Sequence, residues 1–127
     1  MTKGQIEAQI SEAISRFENE YMGRGPEQIR SVILQDMVVI RLKGFLSVSE
    51  KNLAQTREGV ELVKKVRSSL FEGAKESLKE TISSLLGLGI VSIYSDVSTR
   101  TGEKVILVIA SENIEDHIQK TEVCGKG

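Results

Sequence analysis

The sequence predicts a two-layer α+β sandwich. Its elements are expected in the order helix, hairpin, long helix, hairpin, helix, with a four-stranded, mainly antiparallel sheet. Three observations predict this: helical spacing of apolar residues in two segments, two pairs of runs rich in Val, Ile and Leu, and short polar or glycine-containing turns inside each pair. A chain of 127 residues is the usual size of one domain with a single core.

The first segment has the spacing of an amphipathic helix, from about residue 3 to residue 21. Apolar side chains recur every three or four positions, at Ile6, Ile10, Ile14, Phe17 and Tyr21. One face of this helix is therefore expected in the core and the other in water.

The run Gly23-Arg24-Gly25-Pro26 predicts a sharp turn, because glycine accepts positive φ and proline restricts the residue before it. Two interpretations of Arg24 are open. Its guanidinium is a planar fork that suits a carboxylate or a phosphate, or it closes the preceding helix by bonding the last carbonyls.

A first hairpin is predicted from strands 29–34 and 37–43 around the polar pair Gln35-Asp36. The second strand alternates, which places Val38, Ile40 and Leu42 on a packed face and Arg41 on the other. Arg30 and Arg41 form either a small anion site beside Arg24 or part of a solvated sheet face.

Ser47 and Glu50 have the spacing of a capping box, so a helix is expected to begin at Val48. An unbroken helix to residue 86 would be ~58 Å long, more than the ~35 Å breadth of a domain of this size. A break near Gly59 is predicted, followed by a long helix from Glu58 to Leu86. Along the whole segment 48–86, the apolar stripe is expected to contain Leu53, Val60, Val63, Val66, Leu70, Ala74, Leu78, Ile82 and Leu85. The charged residues of the same helix, Arg67 among them, are expected on a solvated outer face.

The second hairpin is predicted from strands 89–97 and 103–110, joined by a turn that contains Gly102. The last strand is apolar on both faces, so it is either central or covered by another element or another chain. Together with the amphipathic helix pair, this strand favours a homodimer. Asp96 and Arg100 flank the turn, where they either stabilise it or contact a ligand.

Ser111 is expected to cap a short last helix from Glu112 to Lys120, and residues 121–127 are expected to form a flexible tail. Cys124, the only cysteine, lies in that tail and rules out an intramolecular disulfide, which favours a cytoplasmic location.

Composition argues against several functions. The 17 basic and 18 acidic residues nearly cancel, so no field to hold nucleic acid is expected. The most apolar window is about half the ~20 residues that cross a bilayer, so no transmembrane segment is expected. No catalytic residues, metal site or cofactor motif is found; an enzyme would need His117 or Asp36 to meet Asp96 or Glu50.

Several local patterns together resemble one bacterial family of unknown function, the MpsC-like family. They are Gly23-Arg24-Gly25-Pro26, Asp36 with the strand 37–42, Gly44, the helix entry 46–50, Leu53, Arg67, Leu86-Gly87, and the segment 91–108 around Asp96-Val97-Ser98-Thr99. The family name refers to a sodium-translocating system that generates membrane potential. The resemblance implies a single MpsC-like domain over residues 1–120 and a membrane-associated protein partner, since no span is expected in this chain.

The sequence therefore favours a non-enzymatic, cytoplasmic accessory or regulatory protein that acts through protein contacts, peripheral to a membrane ion-transport system. The alternative is a module that binds a small anion or a nucleotide through the Gly-Arg-Gly-Pro loop. Its candidate ligand-binding residues are Arg24, Gly25, Arg30, Arg41 and Arg100.

Overall fold

The computed structural model describes the backbone of residues 1–126 and the side-chain surroundings of residues 1–121. The predicted fold class and element order are confirmed. The elements are α1 (Lys3–Met22), β1 (Gln28–Leu34), β2 (Met37–Lys43), α2 (Val48–Leu53), α3 (Arg57–Leu86), β3 (Ile90–Ser98), β4 (Glu103–Ala110) and α4 (Ile114–Lys126).

The four strands form one antiparallel sheet in the order β1-β2-β4-β3. Strand β4 is thus central, which explains its apolar sequence. Helices α1 and α3 pack against each other and lie over the same face of the sheet, α1 on β1 and α3 on β3. The opposite face of the sheet carries no helix among the described residues.

The core lies between the sheet and these two helices. The alternation predicted for β2 is confirmed, because Val38, Ile40 and Leu42 are fully buried. Strand β4 contributes Ile106 and Val108 to the same cluster. The helices complete it with Ile6, Ile10, Ile14 and Phe17 from α1 and with Phe71, Ala74, Leu78, Ile82 and Leu86 from α3.

Helix α1 begins in a capping box, in which the Thr2 hydroxyl accepts from the Gln5 backbone N–H and the Gln5 side chain accepts from the Thr2 N–H. It ends at Gly23 with φ +80°. The core assignment of Tyr21 was wrong. This residue is exposed at the end of the stripe, with its ring centroid 5.0 Å from that of Phe17.

The predicted break near Gly59 is confirmed, because α2 ends at Leu53 and α3 begins at Arg57. The capping box of Ser47 and Glu50 starts α2, and Thr56 caps α3. A Cβ atom at Gly59 would lie 1.6 Å from the Leu53 carbonyl oxygen, so only glycine allows the end of α2 to pack against the start of α3.

The apolar stripe predicted for α3 is confirmed at Val63 and wrong at Val66 and Leu70. Val66 and Leu70 are nearly half exposed, whereas Arg67 and Phe71 are buried. The stripe continues through Ala74, as predicted. The spacing of apolar side chains placed the buried face of α3 one residue too early at these positions. The pattern considers apolar residues only, whereas one of the buried residues here is an arginine that pairs inside the protein.

The last helix begins later and ends later than predicted. Its first turn is capped by Asn113, whose side-chain oxygen accepts from the Asp116 N–H, and not by Ser111. The Ser111 N–H instead donates to the Gly89 carbonyl. The helix continues to Lys126 and so contains most of the segment expected as a tail; the side chain of Cys124 lies outside the described residues.

Candidate functional site

Arg67 is the centre of a buried polar cluster. Its side chain is only 5% exposed. Its Nε donates to Oε2 of Glu50 at 2.7 Å and its Nη2 to Oε1 at 2.6 Å, a bidentate pair. The same Nη2 donates to the Phe45 carbonyl at 3.3 Å, and the guanidinium lies 5.0 Å from the Phe45 ring centroid. Arg67 is therefore not on the solvated face that the sequence predicted.

Glu50 joins α2 to α3 at this point. Its Oε1 also accepts from the Ser47 N–H at 3.0 Å, so the carboxylate that completes the α2 capping box holds α3 as well. Burial alone would raise the pKa of Glu50, but the hydrogen bonds from Arg67 and Ser47 outweigh it and hold the pKa below its usual value. The group is ionised at neutral pH.

A second buried ion pair lies nearby. Nζ of Lys104 on β4 is 2.7 Å from Oε1 of Glu18 on α1, and the side chains are 1% and 0% exposed. The angles at this contact are poor for a hydrogen bond, so both atoms lack a directional partner. The ammonium also lies 5.3 Å from the Phe71 ring centroid.

Burial lowers the pKa of Lys104 from the usual value, and the Glu18 carboxylate opposes this change without cancelling it. The positive charge of Arg67 acts in the same direction as burial. Two cations are thus close enough to repel each other in the interior.

A cavity of about 350 Å³ opens beside these two cations, between α3 and the β3 edge of the sheet. We call it the α3–β3 cavity. It is lined by Lys64, Lys65, Arg67, Ser68, Phe71, Glu72, Ser95, Asp96, Val97 and Lys104. At its rim, Nζ of Lys64 lies 3.9 Å from Oδ1 of Asp96, which links α3 to β3. Four basic side chains and two acidic ones line this cavity.

The Gly-Arg-Gly-Pro loop contacts its own neighbours. Nη1 of Arg24 donates to the Leu46 carbonyl at 2.6 Å, and Nη2 lies 3.5 Å from Oε1 of Glu27. Gly25 lies close to the end of α1, since a Cβ atom there would be 2.9 Å from Nδ2 of Asn19, an exposed side chain that could move aside. These contacts favour a structural role for the loop. Arg24 donates to the Leu46 carbonyl of the next loop, however, and not to the last carbonyls of α1.

The other arginines proposed as ligand-binding residues are only partly brought together. Arg30 and Arg41 are direct neighbours across β1 and β2, on the face without helices. Arg41 pairs with Glu103 on β4. Arg100 is exposed in the β3–β4 turn. None of these arginines lines the α3–β3 cavity, whereas Asp96, the other residue offered as a ligand contact at the second turn, does.

The sheet face without helices is apolar at one end and charged at the other. In register across the four strands, one row contains Val32, Val39, Leu107 and Tyr94, and the next contains Leu34, Met37, Ile109 and Ser92. Towards the other end, successive rows contain Arg30, Arg41, Val105 and Asp96, then Gln28, Lys43, Glu103 and Ser98. Val32, Leu34, Tyr94 and Val105 are exposed. We call this surface the outer sheet face.

A second apolar surface lies on α3. Leu62, Val66 and Leu70 are exposed and spaced by four residues, so they form one line along the helix. We call it the α3 outer stripe.

Sequence reasoning missed Glu18, Lys104 and the role of Arg67. The sequence does contain a signal for Lys104. It lies two and four residues before Ile106 and Val108, so strand alternation places it on the same inward face of β4. Glu18 also follows the buried Ile14 by four residues, the helical repeat. Neither pattern names the partner, because the pair joins residues far apart in the chain.

Other reactive groups are dispersed. His117 lies near Gly87, at the end of α3, in a shallow hollow. Asp96 faces Lys64, and Glu50 is held by Arg67. Within the described residues, no group of three His, Cys, Asp or Glu side chains has the geometry to hold a metal ion.

Comparisons with known proteins give a consistent result. The model of a family described as "Na+-translocating membrane potential-generating system (MpsC)" matches residues 2–112. Two proteins of Bacillus subtilis (strain 168) are similar over nearly their whole length. "Uncharacterized protein YbcI" is 36% identical over 119 residues, 94% of this chain and 96% of that protein. "Uncharacterized protein YrhF" is 30% identical over 109 residues, 85% and 89% respectively. No solved structure matches.

Proposed function

This chain belongs to the MpsC family, and from that premise we propose that it is a non-enzymatic cytoplasmic accessory protein. It acts as a homodimer that binds another protein, at the periphery of a membrane ion-transport system. The observation that supports this most is the outer sheet face, a four-stranded surface on which no helix packs in the described part of the chain. Within residues 1–126 no helix has the length and apolar content to cross a membrane.

The edges of the sheet are poorly suited to association. The Ile33 N–H on the β1 edge donates to Oε2 of Glu7 at 2.7 Å, and the Ser31 and Ser11 hydroxyls lie 2.8 Å apart. On the other edge, the Val97 N–H bonds the Asp96 side chain, and the register shifts between Ile90 and Ser92. Side chains and irregular pairing protect both edges from strand addition. The face of the sheet is the surface left for a second copy.

The size of the outer sheet face limits how two copies can pack. Four strands of about seven residues cover roughly 19 Å by 23 Å at the usual strand spacing and rise. Two such faces bury about 1,000 Å² once the relief of the side chains is counted, near the lower limit for a specific interface. The apolar half alone is too small, so the charged half must also take part.

The charged half can serve as the rim of this interface. Arg30, Arg41 and Lys43 on β1 and β2 share two rows of the sheet with Asp96 and Glu103 on β3 and β4. Both signs are present, so a two-fold arrangement can place cations of one copy against acids of the other. A dimer of this size with a charged rim is expected to be moderate in affinity and sensitive to salt.

The α3 outer stripe remains available in such a dimer, because α3 lies on the opposite side of the sheet. Three apolar residues at helical spacing fit the groove-and-helix contacts that proteins use to bind partner helices. We assign this stripe to the partner from the membrane system.

The oligomeric state tests the proposal. Sedimentation of the wild-type protein should show a dimer that dissociates with dilution and with salt. Replacing Val32 and Tyr94 by lysine introduces charge at both ends of one apolar row and should give a monomer. The matched control is Leu62→Lys on the α3 outer stripe, which should remain dimeric and should lose the partner in a pull-down from membrane extracts. A wild-type protein that is monomeric at all concentrations would contradict the dimer.

A further inference from the structure

The α3–β3 cavity contains a buried cation with an unused donor. Arg67 donates from Nε and Nη2 to Glu50 and from Nη2 to Phe45, but its Nη1 is buried without a hydrogen-bond partner among the described residues. An unsatisfied donor of a buried charged group is costly, and native structures contain few of them. Arg67 is also one of the residues that line the cavity, so the donor without a partner belongs to a side chain of the cavity wall.

The charges around this donor favour a negative ligand. Lys104 lies on the same cavity, and its ammonium has only a poorly aligned contact with Glu18. Lys64 and Lys65 bring two further positive charges to the rim, and Lys64 lies 3.9 Å from Asp96. The hydroxyl groups of Ser68 and Ser95 are on the lining as well and can donate to an oxygen.

Size restricts the ligand to a small one. A cavity of about 350 Å³ is near the lower limit of ligand pockets, which start at about 300 Å³. Phosphate or a short carboxylate, with some water, fits this volume. Both are planar or tetrahedral groups of oxygens that match a guanidinium nitrogen and an ammonium.

The geometry points to a binding site for a small oxyanion, a phosphate or carboxylate group, in the α3–β3 cavity, held by Nη1 of Arg67 and by Lys104 with Lys65 at the rim. The site is distinct from the Gly-Arg-Gly-Pro loop and does not depend on the proposed homodimer. An anion bound there would give Nη1 its missing partner and would separate two repelling cations. The buried charges of the cavity would then be paired on every side.

Calorimetric titration and thermal unfolding with three probes at equal ionic strength test the site. The probes are inorganic phosphate, acetate and, as a control for screening, chloride. Saturable binding with a rise in Tm is expected for phosphate, for acetate or for both. Binding of phosphate alone assigns a phosphoryl ligand, and binding of acetate alone assigns a carboxylate ligand. Equal effects of all three salts would mean that only charge screening occurs and would overturn the site.

Variants at the rim locate the site without disturbing the buried pairs. Lys65→Glu reverses one exposed charge of the lining and should weaken binding about tenfold or more. Lys120→Glu is the matched control, since it makes the same change on α4, away from the cavity lining, and should bind as the wild type. Equal weakening by both variants would indicate a general effect of net charge.

A spectroscopic measurement on the wild-type protein completes the test. In an NMR titration with the probe that binds, the Arg67 guanidinium and Lys104 ammonium signals should shift with the same midpoint as the calorimetric curve. Unchanged signals for both groups, or binding that is lost in Arg24→Ala and kept in Lys65→Glu, would place the anion elsewhere and refute the assignment.

Discussion

Removing the ammonium of the Glu18–Lys104 pair is the most informative perturbation of the core. In Lys104→Met the volume is nearly kept, but the carboxylate of Glu18, which is 0% exposed, loses the cation at 2.7 Å. Breaking a buried pair from one side typically costs 3–5 kcal/mol, because a charge is left uncompensated. We expect a loss of about 3 kcal/mol or more in the free energy of unfolding, out of the about 5–15 kcal/mol of a typical domain.

The double variant Glu18→Leu, Lys104→Met separates electrostatics from packing. Replacing both members of a buried pair by apolar residues is often neutral or stabilising. The double variant should therefore be within about 1 kcal/mol of the wild type or more stable, and the cycle should show a coupling of about 3 kcal/mol or more. Urea unfolding followed by circular dichroism measures the free energy of unfolding of the wild type, the two single variants and the double variant. The m-value is compared among these four proteins.

A single variant that loses less than about 1 kcal/mol would show that Glu18 reaches water, since exposed pairs contribute only that much. A double variant that is no more stable than the less stable single variant would show that the lost stability comes from packing and not from an unpaired charge.

Three further predictions concern two glycines of α3, the Glu50 carboxylate and the Arg24 side chain. Gly59→Ala should destabilise the protein because the new Cβ meets a carbonyl at 1.6 Å, whereas Gly73→Ala on the open face of the same helix should stabilise it by about 1 kcal/mol in urea unfolding. The lowered pKa of Glu50 means that its contribution is present above the unfolded value of 4.5 and is lost as the pH falls through the folded pKa, so Glu50→Gln should be less stable at pH 7 and show a shallower acid transition. Arg24→Ala should lower stability by about 1 kcal/mol through the lost bond to a loop carbonyl, without weakening phosphate binding in calorimetry.

The parts of the fold that could be predicted from the sequence are those fixed by local chemistry. The alternation of Val38, Ile40 and Leu42 determines which face of β2 is buried, whatever lies opposite. The capping box of Ser47 and Glu50 closes within four residues, so its signal is complete in the chain. The strand order could not be predicted, because it depends on how the two hairpins meet.

The candidate site could not be predicted because its groups are paired across the fold. Charge on a helix usually indicates solvent, and Arg67 was assigned on that basis. Its burial depends on a carboxylate 17 positions earlier and on the Phe45 carbonyl, which the sequence does not bring together. The anion site was predicted from arginines that were expected to be exposed on loops and strands. In the structure, Arg24 and Arg41 instead have partners within the protein.

Asp96 connects the two proposed surfaces. It lies in the charged row of the outer sheet face, and its carboxylate is 3.9 Å from Lys64 at the rim of the α3–β3 cavity. A second copy that offers Arg30 or Arg41 to Asp96 would weaken the hold of this carboxylate on Lys64, which leaves the lysine for an anion. Coupling of this kind is reciprocal: the factor by which dimerisation strengthens phosphate binding must equal the factor by which phosphate strengthens the dimer. An accessory protein built this way would report the presence of a small oxyanion through its oligomeric state.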